Sequence, residues 1–147
     1  MLLLTSCTVK YYTPRIPESY QCDIAVSLGD FDYKCRFCKT ASTATVTVSD
    51  TNAEGLEMVC DGEELVMNYG EWAETYSAYD FEQSNPAIVL WQVFDALESG
   101  NVQSGKTETG YKYEGRIPLG EFILTQNDDE TLNALTVKNT DFTILFN

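Results

Sequence analysis

Alternation of apolar and polar residues dominates the chain and gives way once to a helical period. Tyr20, Cys22, Ile24, Val26 and Leu28 fall on one face, and after Gly29-Asp30 the positions Phe31, Tyr33, Cys35 and Phe37 repeat the period of two. The spacing predicts a two-residue type II′ hairpin with Val26 opposite Tyr33 and Ile24 opposite Cys35. Residues 43–49 (TATVTVS) form a third strand by β-branched content, with Ala44, Val46 and Val48 inward. Residues 56–60 then meet residues 63–67 across Asp61-Gly62, burying Leu56, Met58, Leu65 and Met67. Residues 70–84 (GEWAETYSAYDFEQS) are less regular and read as an edge strand or a helical turn. Further on, 102–108 is a weak strand, and in 111–117 Tyr111, Tyr113 and Ile117 align. Residues 121–126 follow, then the polar turn 127–130. The last hairpin, 134–138 with 141–146, sets Thr136 opposite Thr143 and Lys138 opposite Asp141.

The interruption is residues 85–100, NPAIVLWQVFDALESG. Asn85 is a strong N-cap, Pro86 occupies the first helical position where a missing N–H costs nothing, and Gly100 supplies a left-handed stop. At about 100° per residue, Ala87, Val89, Leu90, Trp91, Val93, Phe94, Ala96 and Leu97 cover roughly 220° of the circumference. Gln92, Asp95 and Ser99 share a narrow polar stripe, with Ile88 as its one apolar member. A helix apolar over so wide an arc must be wrapped, and here only a curved sheet is available to wrap it. The expected fold is mainly antiparallel β (α+β): a strongly curved half-barrel of about nine or ten strands around one apolar helix at 86–99.

Charge narrows the partners. The net charge of −14 argues against a nucleic-acid ligand, which needs clustered Lys and Arg. No basic residue lies between Lys39 and Lys106, although twelve of the 23 acidic residues do, so one side of the fold is a negative field. At the start, Leu4-Thr5-Ser6-Cys7 has the apolar, small, small, Cys pattern of a bacterial lipobox, preceded by the end of an apolar run. On this reading residues 1–7 are the remnant of a lipoprotein signal and Cys7 carries the lipid. Residues 8–19, broken by Pro14 and Pro17, are a tether, and 20–147 are a single domain. No other long apolar run occurs, so lipid on Cys7 would anchor an extracytoplasmic protein to the cell membrane.

These features carry a resemblance. DGEELVMNYG, the proline-started helix, YKYEGRIPLGEFILTQNDDETLNALTV and the terminal alternating strand resemble a group of clostridial-type lipoproteins. Those in turn are similar to the LolA/LolB and LppX/LprG half-barrel lipoprotein superfamily. The resemblance spans roughly 20–147 and rests on element order and turn chemistry. It implies either a lipid-like or other apolar ligand held between sheet and helix, or a non-catalytic role with an envelope protein as partner. Arg36 and Arg116 match the arginine of the carrier members by residue type alone.

Catalytic chemistry finds little footing. The chain has no histidine, which removes the commonest general base and metal ligand, and no pair of carboxylates stands out; no enzyme activity and no cofactor are expected. Cys35 and Cys38 lie at i and i+3 of a strand, pointing to opposite faces about 10 Å apart, beyond disulfide reach. A zinc site of Cys22, Cys35, Cys38 and Cys60 would need Cys38 to turn inward. An inter-strand disulfide among the four stays open, and buried free thiols fit best. The remaining candidates are apolar: Trp72, Tyr76, Tyr79, Phe81, Leu90, Trp91 and Phe94, with Met58 and Met67 as adaptable walls. They predict a closable cavity between helix and sheet, with 70–84 as its lid. Sheet edges leave monomer and dimer both open.

Overall fold

The computed structural model describes residues 10–147. In chain order the elements are β1 (Tyr20–Leu28), β2 (Phe31–Lys39), β3 (Ala44–Val48), β4 (Glu57–Cys60), β5 (Glu64–Tyr69) and β6 (Trp72–Ser77), then α1 (Pro86–Glu98). They continue with β7 (Gln103–Lys106), β8 (Gly110–Ile117), β9 (Gly120–Asn127), β10 (Leu132–Val137) and β11 (Phe142–Phe146). All eleven strands join one antiparallel sheet in the order β6-β5-β4-β3-β2-β1-β11-β10-β9-β8-β7. The first and last strands lie side by side at its centre, and each half is a meander running outward to an open edge. The helix carries the chain from one edge to the other. It packs on β3 and β4 from one half and β8 from the other, so the sheet curls around it as the half-barrel pattern requires.

The strand count exceeds the expected nine or ten because β6 is a full strand. Its residues are largely exposed on both faces, so burial imposes no alternation there for the sequence to display. Elsewhere the period was legible: Val26 pairs with Tyr33, Ile24 with Cys35, and Thr136 with Thr143. Beyond Thr136 and Thr143, Lys138 directs its ammonium toward Glu114 and Glu121 at 3.9 and 3.8 Å.

One turn is displaced. Met58 pairs with Met67 and Cys60 with Leu65, and the Asp61 N–H donates to the Glu64 carbonyl at 3.2 Å, so the turn centres on Gly62-Glu63 and not on Asp61-Gly62. Asp61 Oδ1 accepts from the N–H groups of Glu63 and Glu64 at 2.9 and 2.8 Å and fixes that turn.

The helix begins as its sequence indicates. Asn85 Oδ1 accepts from the N–H groups of Ala87 and Ile88 at 3.0 and 3.3 Å. Past Ser99, Gly100 takes φ +74° and the Asn101 N–H returns to the Ala96 carbonyl at 3.0 Å. Ile88 is buried, against its expected place in the polar stripe. Residues 78–85 fold back over this side of the helix: the Gln83 amide donates to the carbonyls of Ala78 and Phe81 at 2.9 and 2.8 Å, and accepts from Gln92 at 3.3 Å.

Residues 4–7, including Cys7, lie outside the described residues. Of the stretch read as a tether, residues 10–19 run without regular structure, partly against the far half of the sheet. The Tyr12 N–H donates to Ser104 Oγ at 2.6 Å, its ring lies 5.3 Å from that of Tyr111, and the Gln126 amide donates to the Arg15 carbonyl at 3.1 Å.

Candidate functional site

The candidate cavity residues fall into three settings. Leu90, Phe94 and Met58 are buried in the core: Phe94 stacks on Phe37 with ring centroids 5.7 Å apart, and Met58 sulfur accepts from Asn85 Nδ2 at 3.3 Å. Met67, Tyr76 and Phe81 are half-buried at its border, where the Tyr76 and Phe81 rings meet at 4.9 Å. Trp91, also half-buried, lies over two turns: its indole N–H donates to the Ser42 carbonyl at 3.1 Å, and its ring crosses Gly62. Trp72 and Tyr79 stand in solvent, 44% and 74% exposed. The structure therefore does not gather these side chains around one space.

The space between helix and sheet is filled by side chains. Ala87, Ile88, Val89, Leu90 and Val93 on α1 have no accessible surface, and neither do Phe37, Val46, Leu65, Phe122, Leu124, Leu135 and Ile144 on the strands. Interlocked without exposure, they pack in the manner of an ordinary protein interior.

Hollows occur at the surface. A cleft of about 60 Å³ beside Trp91 and Phe94 is lined also by Lys39 and Glu98. Beyond the C-terminal end of α1 a cleft of about 530 Å³ runs over Gly115 and Phe122 between the charged side chains of Glu114, Arg116, Glu121 and Lys138. These already neutralise one another, with Arg116 to Glu121 at 3.0 Å and the Lys138 ammonium 3.9 and 3.8 Å from Glu114 and Glu121. A third, of about 280 Å³, is lined by Tyr11, Tyr12, Tyr111 and Tyr113, and a fourth, of about 420 Å³, borders β6 at Thr75, Tyr76 and Ser77 and extends to Tyr79 beyond its end.

Cys22, Cys35, Cys38 and Cys60 are free thiols. Cys35 points into the core, where burial pushes its thiol up to about 12, and burial likewise raises Cys22 and Cys60. Cys38 points to the other side of the sheet, as the strand period requires. Among the described residues no three Cys, Asp or Glu side chains converge in the manner of a metal centre.

One feature was missed by sequence reasoning, the buried cation Lys39; of the two readings of residues 70–84, edge strand or helical turn, the structure shows the edge strand, β6.

No family model matches the chain, and no curated protein matches it. Solved structures do. A chain in the structure of the CwlD amidase from Clostridioides difficile in complex with the GerS lipoprotein aligns at TM-score 0.53 and 15% identity, over 88% of this chain and 84% of that one. An uncharacterized conserved protein from Thermus thermophilus aligns at TM-score 0.48 and 9% identity, covering 87% and 76% of the two chains. A LolA superfamily protein from Nitrosomonas europaea aligns at 0.40 and 11%, covering 88% and 69%. The first of these is a likeness of fold: a curved antiparallel sheet with a helix in its hollow.

Proposed function

We infer that this chain is a non-catalytic interaction domain of the cell envelope, tethered to the membrane through lipid on Cys7, that works by binding another protein. The observation that carries this reading is the filled core: four consecutive helix residues, Ala87 to Leu90, have no accessible surface, and the sheet residues beneath them have none either. An acyl chain would have to displace that packing, at the loss of about 25 cal/mol for each Å² of apolar surface reopened. A chain of similar fold within the amidase–lipoprotein complex supports a role in protein assembly. The lipobox at residues 4–7 supports the tether.

Native mass spectrometry of the intact chain, followed by denaturing extraction, tests the reading. An apo mass, together with Trp72 and Trp91 fluorescence indifferent to micromolar fatty acid, is the expected result. A stoichiometric co-purified lipid would overturn it in favour of a carrier. Incorporation of labelled palmitate, abolished by Cys7→Ser, tests the anchor; unlabelled wild-type protein would remove it.

A further inference from the structure

The two edges of the sheet are finished differently. At one edge, β7 has four residues, carries Lys106, and is overlaid by the N-terminal segment through the Tyr12–Ser104 hydrogen bond. Short length, lysine and a covering segment are the ordinary means of blunting an edge. At the other edge, β6 has six residues, WAETYS, with no lysine, no proline and no break in its register with β5. Among the described residues β5 is its only neighbour in the sheet.

The register shows which backbone groups lie open. The Ala78 N–H donates to the Glu63 carbonyl at 2.8 Å, and bonded and non-bonded pairs alternate from there along the hairpin. Tyr76, Glu74 and Trp72 therefore turn their N–H and C=O groups toward β5, while Thr75 and Ala73 turn theirs away from the sheet. Trp72, 44% exposed, and Tyr79, 74% exposed, flank this row, and the cleft of about 420 Å³ lies alongside it.

Two side-chain rows end at β6, one on each face. On the outer face Thr45, Val59, Val66 and Thr75 lie in register across four strands. On the inner face the corresponding row is Val46, Met58, Met67 and Glu74. The next strand would continue the first row with a β-branched residue and set a cation opposite Glu74, between the rings of Trp72 and Tyr76. The surroundings agree in sign: Glu63, Glu64, Glu71 and Asp80 are near in sequence, and no basic residue lies between Lys39 and Lys106.

We propose that β6 is a docking edge that takes an extended basic segment of a partner protein, Lys or Arg alternating with β-branched residues, as a twelfth strand of the sheet. This deepens the interaction-domain reading and rests on it.

The test is an NMR titration of the intact chain with a capped eight-residue peptide of alternating Lys and Val. Binding is expected to slow exchange of the Ala73 and Thr75 amides at least tenfold. A Lys-Pro peptide of equal charge, lacking half the backbone donors, and a Glu-Val peptide should both fail to do so. Thr75→Pro removes an outward N–H and leaves the β5 ladder intact, so it should weaken binding at least tenfold with little change in Tm. Glu74→Lys should weaken the Lys-Val peptide similarly. Equal binding of the Lys-Pro peptide, shifts confined to regions away from β6, or protection of Ala73 and Thr75 by self-association of the free protein would each overturn the proposal. Ala73 and Thr75 amides left unprotected by the Lys-Val peptide in a lipid-free protein reject the docking edge alone, whereas lipid in the core rejects the interaction-domain reading beneath it.

Discussion

The indole of Trp91 lies across Gly62, where a Cβ would stand 2.4 Å from the ring. Gly62 also holds φ +97°, a conformation that L side chains rarely adopt. Helix and turn are thus fitted to each other. Gly62→Ala should destabilise by about 3 kcal/mol, combining backbone strain with overpacking. In Trp91→Ala the clash is gone, so the double variant should be more stable than the sum of the two single losses by about 1 kcal/mol. Urea unfolding followed by circular dichroism measures this cycle, and strict additivity would show that ring and turn act independently.

Asn85 joins the helix start to β4 through two acceptor bonds from its Oδ1 and one donor bond to Met58 sulfur. Asn85→Ala leaves the Ala87 and Ile88 N–H groups without that acceptor in a buried setting, and should cost about 2 kcal/mol, the upper part of the N-cap range. Asn85→Asp keeps the acceptor and loses the donor, so it should retain more stability than Ala. An Asp variant as unstable as the Ala variant would assign the effect to Met58 and not to the cap.

What the sequence disclosed and what it withheld follow from where each constraint originates. Ile24, Val26 and Phe37 were legible because one buried face imposes a period of two on adjacent residues. The helix was legible because Asn85, Pro86 and Gly100 are local signals. The turn at Gly62-Glu63 was not, because the Asp-Gly pair is itself a strong turn signal, whereas here the Asp61 side chain accepts from Glu63 and Glu64 and places the turn one residue later. Ile88 was assigned to solvent because the helical wheel does not include residues 78–85. The cavity residues were grouped by chemistry alone, and Trp72 and Leu90, alike in apolarity, are 44% and 0% exposed.

Alkali should unfold this protein through its buried thiol and phenols. Burial holds Cys35 at about 12 against an ordinary 9.0, and Tyr33 at about 12 against 10.0. Between those values the folded chain keeps protons that the unfolded chain has released. Stability is therefore whole below about pH 9 and falls as pH rises toward 12. Cys35→Ala should make that fall shallower, by up to about 1.4 kcal/mol per pH unit. Parallel Tm–pH curves for wild type and Cys35→Ala would remove Cys35 from the account.

Lys39 ties three distant segments together at the end of β2. Its ammonium donates to the carbonyls of Glu18 and Thr40 at 3.2 Å each and pairs with Glu98 Oε1 at 2.9 Å, with the side chain only 4% exposed. All three donors are thereby engaged, joining the N-terminal segment, the β2–β3 turn and the last turn of α1. Lys39→Met keeps the apolar stem and removes every one of these bonds; it should cost about 2 kcal/mol, as expected where buried polar groups lose a charged partner. Glu98→Gln should cost about 0.5 kcal/mol, because Glu98 is more than half exposed and water can replace it. Amide exchange should also quicken near Glu18 and Thr40 in Lys39→Met and stay unchanged there in Glu98→Gln. Equal losses in the two variants would mean that the ion pair, and not the carbonyl bonds, holds the three segments.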